Sequence, residues 1–302
     1  MGMKDFFYRI LITLTRLTGT WLFRTVSWII ASGYFFFSLR RVRNSLYFYR
    51  ALFPGRSRMY YLSCAWRQFH RFTHVFLDRL FPHEEKLPII TRKDTHLLTD
   101  AIKEKQGGIL LMSHLGHWEL TAHMFFKLYK DDHPDIKLLL YLGRKHQEQI
   151  ESRQKKDIAA RGIEMISITE NDVTPLDLVK GIQFLRSGGL VSMTGDRCWR
   201  DDQRFLSVRF LNHKARIPEA PFVLALLSGA PIFIFFTHRT GPYQYDLHIF
   251  PPLHIHAPHR KDRQQAIQCA AQFYADRLEE MVQQAPFEWF HFEPFIEREN
   301  GE

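Results

Sequence analysis

The chain has 302 residues, which is enough for one large domain with an appendage. It is 45% hydrophobic and 15% aromatic, so it can bury a large core, and it contains no low-complexity tract. The net charge is +9, but the excess is N-terminal, because residues 1–80 hold 13 Lys and Arg against two acids. The three cysteines, Cys64, Cys198 and Cys269, are far apart and odd in number, which argues for a reducing compartment and against a disulfide framework.

The basic N-terminal segment is also very hydrophobic. Residues 10–39 are apolar apart from two arginines and some hydroxyl side chains, and the longest uncharged piece, 25–39, has 15 residues. A spanning helix needs about 20 residues. The pattern therefore favours a helix that lies in, or dips into, an anionic membrane surface, with Arg40, Arg41 and Arg43 at the cytoplasmic headgroups. An ordinary buried helix is the alternative, whereas a secretory signal and a nucleic-acid interface fit poorly.

The rest of the chain alternates short apolar runs with amphipathic segments. The apolar runs that predict buried strands are residues 109–112, 136–141, 163–168 and 190–193. This alternation predicts an α/β fold with a mainly parallel central sheet flanked by helices. A second amphipathic helix is predicted over 56–81. We therefore expect a membrane-associating helical arm over 1–85 and an α/β domain over 86–302.

The C-terminal third predicts more elements. A hairpin is expected over 206–218, with its turn at Asn212 and His213. Residues 245–250 and 253–256 are expected to be edge strands on either side of two prolines. A long amphipathic helix is predicted after them.

His114 follows the first predicted strand, at the sheet edge where open α/β folds place their ligands. After a turn at Gly116, Glu119 begins the next predicted helix. A carboxylate there can reach the imidazole, fix its tautomer and leave the other nitrogen to take a proton from a hydroxyl. The simpler alternative is that His114 caps a strand and Glu119 complements a helix dipole. No metal is expected from His117 and His123, because no HExxH motif or cysteine cluster is present.

A second polar pair, Asp196 and Arg197, follows the predicted strand at 190–193. If the strands are parallel, this pair lies at the same sheet edge as His114. An arginine there could hold a phosphate or a developing oxyanion. A solvated turn is the alternative.

The ordered motifs resemble those of a known superfamily. Residues 114–119, His-Leu-Gly-His-Trp-Glu, resemble the His-x4-Glu block of the lysophospholipid acyltransferase superfamily. Their His-x-Gly-x-Trp-Glu form is similar to the bacterial lipid A late acyltransferases, the lauroyl and myristoyl transferases of Gram-negative inner membranes. The Asp196–Arg197 block and the aromatic C-terminal segment fit the same branch. The chain departs from the family at Asn212 and Ala220, where glycines are usual, so lipid A itself is not assumed to be the acceptor.

The resemblance implies a membrane acyltransferase without cofactor or metal. His114 would deprotonate a hydroxyl or amine of a lipid or glycolipid acceptor, and Glu119 would orient His114. The acyl donor would be a thioester of acyl carrier protein or coenzyme A. The implied substrate-binding residues are Trp118, Asp196, Arg197 and Arg209.

The resemblance also implies a location. The N-terminal helix would hold the protein on the anionic cytoplasmic face of a Gram-negative inner membrane, with no nucleic acid as partner. Two other functions stay open. One is a lipid ester or thioester hydrolase with the same His–Glu pair, and the other is a non-enzymatic membrane lipid-binding protein.

Overall fold

The structure is a computed structural model and describes residues 15, 19–80, 89–93, 96–117, 137–143, 164–168, 175–198 and 203–297. The helices within these residues are α1 (Thr20–Phe37), α2 (Leu39–Leu52), α3 (Arg58–Leu80), α4 (His96–Lys103), α5 (Pro175–Arg186), α6 (Ala220–Ser228) and α7 (Arg263–Gln284). The strands are β1 (Ile89–Lys93), β2 (Gly108–Met112), β3 (Leu138–Gly143), β4 (Glu164–Ile168), β5 (Leu190–Thr194), β6 (Phe205–Phe210), β7 (His213–Pro218), β8 (Ile232–Gly241) and β9 (Gln244–Ile249).

Seven of these strands form the central sheet of the described region, in the order β1-β9-β8-β2-β5-β3-β4. All neighbouring pairs are parallel except β8 and β9. The middle strand β2 is buried along its length, with Ile109 in the core cluster that includes α6 and α7 and Leu110 in the cluster that includes α4. Burial on both faces explains its continuous apolar run. The predicted α/β class with a mainly parallel sheet is confirmed.

The helices of the predicted arm share this core. Phe48 and Tyr49 of α2, and Cys64 and Ala65 of α3, belong to the same buried cluster as the central strands. Their burial ties the position of the arm to that of the sheet. The division of the chain at residue 85 stays a prediction.

Helix α1 differs, because it keeps a broad apolar surface exposed. Its exposed large side chains are Trp21, Trp28, Ile29, Ile30, Tyr34, Phe36 and Phe37, and Leu39 of α2 adjoins them. Among the described residues, no single helix is long and apolar enough to span a membrane. The α1–α2 pair qualifies by length and composition, but its helices meet at 87°. An exposed apolar patch of this kind marks a surface that meets a membrane or another protein.

The predicted hairpin is present as β6 and β7, but its turn comes one residue earlier than expected. Leu211 and Asn212 form the turn, with φ angles of 50° and 63°. A two-residue hairpin turn of this type needs positive φ at both positions. The sequence did not predict this because leucine rarely adopts positive φ. Here Leu211 is buried in the main core cluster, which offsets the conformational cost.

Of the two edge strands predicted over 245–250 and 253–256, the first is present as β9, but its predicted edge position is wrong, and so is the second strand. Strand β9 lies inside the described sheet, between β8 and β1. Leu253 forms an isolated bridge with Ile232 and is not part of a named strand. The sheet edge on this side is β1, whose partner β9 lies about half the chain away in sequence. A pairing that distant leaves no local pattern from which to predict it.

The end of β2 packs closely against β8. Gly116 has a φ of 61°, and a Cβ added to it would lie 2.1 Å from the carbonyl oxygen of Thr237. The turn after β2 therefore requires glycine for two reasons, its backbone conformation and its packing.

We predict that Gly116→Ala lowers the free energy of unfolding by more than about 3 kcal/mol, because strain and overpacking add. Gly55→Ala is the matched control, since Gly55 has a φ of 78° but no atom within 4 Å of an added Cβ. That control should lose about 1–2 kcal/mol. Denaturant unfolding measures both variants, and equal losses would disprove the packing argument.

Candidate active site

The C-terminal ends of β2 and β5 bring His114 and Asp196 together. The two strands are neighbours and run parallel, with Met112 opposite Thr194. His114 and Asp196 each lie two residues beyond this last pair. The expectation that both residues share one sheet edge is confirmed, because the strands are parallel and in register.

Hydrogen bonds fix the backbone at this edge. The carbonyl oxygen of Met112 accepts from the Gly195 N–H at 2.8 Å and from the Tyr274 hydroxyl of α7 at 3.0 Å. A Cβ on Gly195 would lie 2.7 Å from the Tyr274 ring. Glycine at this position therefore lets the tyrosine approach and lock the two strand ends together.

Asp196 contacts His114 twice. The Nδ1 of His114 donates to Oδ1 of Asp196 at 2.8 Å, and the His114 backbone N–H donates to Oδ2 at 2.7 Å. Both residues are buried, with 3% and 1% of their surface exposed. Because an ionised carboxylate only accepts hydrogen bonds, Nδ1 must carry the proton. Nε2 is then the basic nitrogen of the ring.

Trp289 supplies a third donor to the same carboxylate. Its indole N–H donates to Oδ2 of Asp196 at 3.0 Å. Burial acts to raise the pKa of Asp196, but the positive charge and hydrogen bonds of His114 hold that pKa well below its usual range. The carboxylate is therefore ionised at neutral pH and stabilises an imidazolium on His114.

The segment that carries Trp289 pairs with the turn after β2. Phe290 N–H donates to the His114 carbonyl at 2.8 Å, and Gly116 N–H donates to the Glu288 carbonyl at 2.8 Å. Leu115 and Trp289 form an antiparallel bridge between these bonds. Residues 288–290 thus pair with the backbone of residues 114–116 and hold the turn that carries His114.

The arm helices hold this C-terminal segment in turn. Gln68 of α3 donates to the Trp289 carbonyl at 2.5 Å, and Asn44 of α2 donates to the Phe292 carbonyl at 2.9 Å. Arg71 of α3 forms an ion pair with Glu288 at 2.7 Å. Burial raises the pKa of Glu288, and Arg71 opposes that shift. The active-site pair is therefore connected to the arm through a few direct hydrogen bonds.

A second buried histidine lies beside the pair. The His291 ring stacks on Trp289 with centroids 5.1 Å apart, and its centroid is 6.3 Å from that of His114. Burial, together with the charges of Arg197 and His114, lowers the pKa of His291 to about 3, although Asp196 acts to raise it. His291 is thus neutral at physiological pH.

The structure brings together some of the predicted site residues. Asp196 contacts His114 and Trp289, and its expected contact with substrate stays a prediction. Arg197 follows it and is close enough to influence His291. Arg209 is exposed on β6, where its backbone N–H and carbonyl bond to the side chain of Gln272.

Two predicted site residues, Trp118 and Glu119, lie outside the described residues, as does the helix predicted to follow them. Their roles stay predictions. The sequence did not predict that Trp289 donates a hydrogen bond to the Asp196 carboxylate. The only local signal for it was the aromatic C-terminal segment, which fits simple core packing equally well.

One group within the described residues could hold a metal ion. The donor atoms of His238, Asp246 and His248, on β8 and β9, lie within 4.8 Å of one another. Zinc binds nitrogen and oxygen at about 2.0–2.2 Å, so Nε2 of His238 and the Asp246 carboxylate, 3.8 Å apart, already have a suitable separation. The sequence did not suggest this group, and the expectation that the enzyme needs no metal stays a prediction. The contacts between His114 and Asp196 do not involve it.

The buried neutral His291 predicts a pH effect on stability. Its pKa is about 3 in the folded protein and near 6.5 when unfolded, so between these values the unfolded chain binds an extra proton. The free energy of unfolding should therefore fall as the pH drops below about 6.5, by up to about 1.4 kcal/mol per pH unit from this residue.

The variant His291→Phe, which keeps an aromatic ring over Trp289, should reduce that slope. The control His259→Phe, which removes an exposed histidine, should keep the wild-type slope. Urea unfolding at pH 5 and pH 7 measures both variants. An unchanged slope in His291→Phe would show that His291 has the same pKa in the folded and the unfolded protein.

Comparison with known proteins identifies the family. A search of curated proteins found no match. The family model described as bacterial lipid A biosynthesis acyltransferase matches residues 64–295, which is well over half of the chain. The match begins in α3 and ends in the segment that carries Trp289, so it includes the whole His114–Asp196 site. Proteins of this family are membrane-associated enzymes. The chain belongs to the bacterial lipid A biosynthesis acyltransferase family and is a lipid acyltransferase.

Proposed function

We propose that this protein transfers a fatty acyl group from a thioester of acyl carrier protein or coenzyme A to a hydroxyl or amine of a membrane lipid. The observation that carries the proposal is the buried, ionised Asp196 on Nδ1 of His114 in a chain of an acyltransferase family. This arrangement makes Nε2 of His114 a general base of fixed orientation.

The reaction needs one proton acceptor and no covalent acyl-enzyme. Nε2 of His114 takes the proton of the acceptor hydroxyl while its oxygen attacks the thioester carbonyl. The imidazolium is stabilised by Asp196, as in other carboxylate–histidine pairs. When the tetrahedral intermediate collapses, the carbon–sulfur bond breaks and the imidazolium returns the proton to the thiolate. The products are the acylated lipid and the free thiol carrier.

The remaining site residues receive proposed roles. Arg197 lies next to Asp196 and is suited to stabilise the oxyanion or a phosphate of a substrate. Trp118 and Arg209 are proposed substrate contacts, on the basis of the family resemblance. Glu119 is proposed as a second carboxylate acting on His114 or on the acceptor. No cofactor is proposed.

The membrane arrangement follows from the arm. We propose that α1 and the start of α2 lie in the cytoplasmic leaflet of a bacterial inner membrane. The exposed apolar side chains at their 87° corner would enter the acyl region. The exposed Arg40, Arg41 and Arg43 follow directly and would meet anionic headgroups. This position brings a lipid acceptor to an active site that receives its acyl donor from water.

We predict that His114→Ala and Asp196→Asn each lower the rate of acyl transfer by about three orders of magnitude or more, because one removes the base and the other its correct tautomer. Glu119→Gln tests whether a second carboxylate contributes, and any loss beyond about tenfold supports its role. Thioester consumption with a membrane lipid extract, followed by lipid mass spectrometry, measures these rates and shows which lipid gains an acyl chain.

The matched control is His259→Ala, which removes an exposed histidine outside the His114–Asp196 site. It should transfer acyl groups at the wild-type rate and keep the wild-type circular dichroism spectrum. Near-normal transfer by folded His114→Ala would refute the mechanism. Release of free fatty acid at the same rate with and without acceptor lipid would instead identify a hydrolase.

We predict that the double variant Phe37→Ser/Leu39→Ser binds vesicles at least about tenfold more weakly, because each side chain contributes about 1.5–3 kcal/mol when it leaves water. Phe37 and Leu39 are 89% and 74% exposed, so the fold should be unaffected. The control Val179→Ser/Leu227→Ser removes exposed apolar side chains of α5 and α6 and should bind like the wild type. Equal binding of both double variants would place the membrane contact elsewhere.

A further inference from the structure

A large cavity lies between α1, α3 and the turn that joins β8 to β9. Its volume is about 680 Å³, far more than a single ion or water molecule requires. The described residues that line it are Phe23, Arg24, Ser27, Trp28, Trp66, Arg67, His70, Arg71, Thr73, His74, Leu77, Arg239, Pro242 and Phe287. His114 and Asp196 are not among them, so the cavity is distinct from the active-site pair.

The cavity is strongly basic. Arg24, Arg67, Arg71 and Arg239 line it, and no carboxylate does so among the described residues. Two of the four are held by buried acids outside the lining. Arg71 pairs with Glu288, and Arg239 pairs with Asp78 at 2.8 Å.

The charge of the other two arginines is not balanced by any acid within the part of the chain that the structure describes. Arg24 and Arg67 have exposed side chains and form no ion pair with a described residue, although Arg67 lies over the Phe287 ring at 5.5 Å. Guanidinium groups bind phosphate through parallel charge-assisted hydrogen bonds. Two arginines held in place by acids, and two without an acidic partner among the described residues, surround one cavity and are therefore suited to bind a phosphate group.

These arginines affect the pKa of His74, which also lines the cavity. Its pKa is lowered to about 4 by burial and then by Arg239, with smaller effects of Arg71 and Arg24, while Asp78 acts to raise it. The positive potential thus reaches the interior of the cavity. A bound anion would offset it and let His74 take up a proton more easily.

The walls of the cavity are aromatic. The rings of Trp28 and Trp66 meet at 5.8 Å, and both rings contact His70. Phe287 lies beneath both Arg67 and Arg71. Helix α1, which provides part of this wall, also carries the exposed apolar surface of the arm. A ligand with one anionic group and an adjoining apolar part matches these surroundings better than a free ion does.

We propose that this cavity binds the phosphate of an anionic phospholipid headgroup and so docks the arm on the bilayer at a fixed position. Arg24 and Arg67 bind the phosphate oxygens, and Arg71 and Arg239 add positive charge around the phosphate. Trp28 and Trp66 lie beside the glycerol part of the lipid. This role is separate from acyl transfer. The lipid in the cavity is a ligand that positions the enzyme, whatever lipid is acylated.

The test uses the full-length protein in a neutral detergent, with labelled histidine side chains followed by NMR. His74 is assigned through the loss of its signals in His74→Gln. Addition of dihexanoyl phosphatidylglycerol, below the concentration at which it forms micelles, should raise the pKa of His74 from about 4 by about one unit or more. Inorganic phosphate at the same concentration should leave it unchanged. No shift with saturating lipid would overturn the proposal, and an equal shift with phosphate alone would replace the headgroup by a free anion.

Affinity variants give a second measurement. Arg24→Gln/Arg67→Gln should bind dihexanoyl phosphatidylglycerol at least about tenfold more weakly, because each charged hydrogen bond contributes about 1.5–3 kcal/mol. Arg260→Gln/Arg263→Gln removes the same charge from exposed positions outside the cavity and should bind within about twofold of the wild type. Equal weakening in both variants would show non-specific attraction. Loss of binding to acyl carrier protein, with lipid binding intact, would assign the cavity to the carrier instead.

Discussion

The site depends on one physical constraint, the need to satisfy a carboxylate that is almost completely buried. Removing an ion from water costs several kcal/mol unless hydrogen bonds and an opposite charge replace the solvent. Asp196 meets this requirement with three donors, two from His114 and one from Trp289. The same bonds that stabilise the carboxylate fix the tautomer of the base. The stability of the fold and the proposed catalysis therefore rely on the same contacts.

Those contacts join distant parts of the chain. Strand β2 provides His114, β5 leads to Asp196, and the segment after α7 provides Trp289. Helices α2 and α3 hold that segment through Asn44, Gln68 and Arg71. In the proposed arrangement α2 begins at the membrane and contacts the segment of Trp289 through Asn44, so it connects the membrane surface to the active site. The parallel register of β2 and β5 gives the framework, and the arm keeps the third donor in place.

The sequence predicted the strands of the central sheet better than the side-chain contacts at the site. Continuous apolar runs gave β2 and β5, and their parallel pairing placed Asp196 at the edge beside His114. The role of Asp196 was not predicted, because Glu119 is nearer in sequence and the bond between Asp196 and Trp289 spans 93 residues. Strand β1 was missed for a similar reason, since a short polar edge strand is defined by its distant partner β9. The hairpin turn lies one residue before its predicted position, because burial of Leu211 outweighs the cost of its positive φ angle.

The pairing of residues 288–290 with the turn after β2 has a consequence for biosynthesis. The segment lies far downstream of β2 and β5 in the sequence, so the ribosome makes it after both strands. A domain generally folds as a unit, once all of its residues have been made. Until the C-terminal segment emerges, Asp196 lacks its indole donor and the backbone around His114 lacks a partner. A nascent chain that already carries His114 and Asp196 therefore still lacks the contacts that hold them in place, so the proposed reaction requires synthesis through residues 288–290.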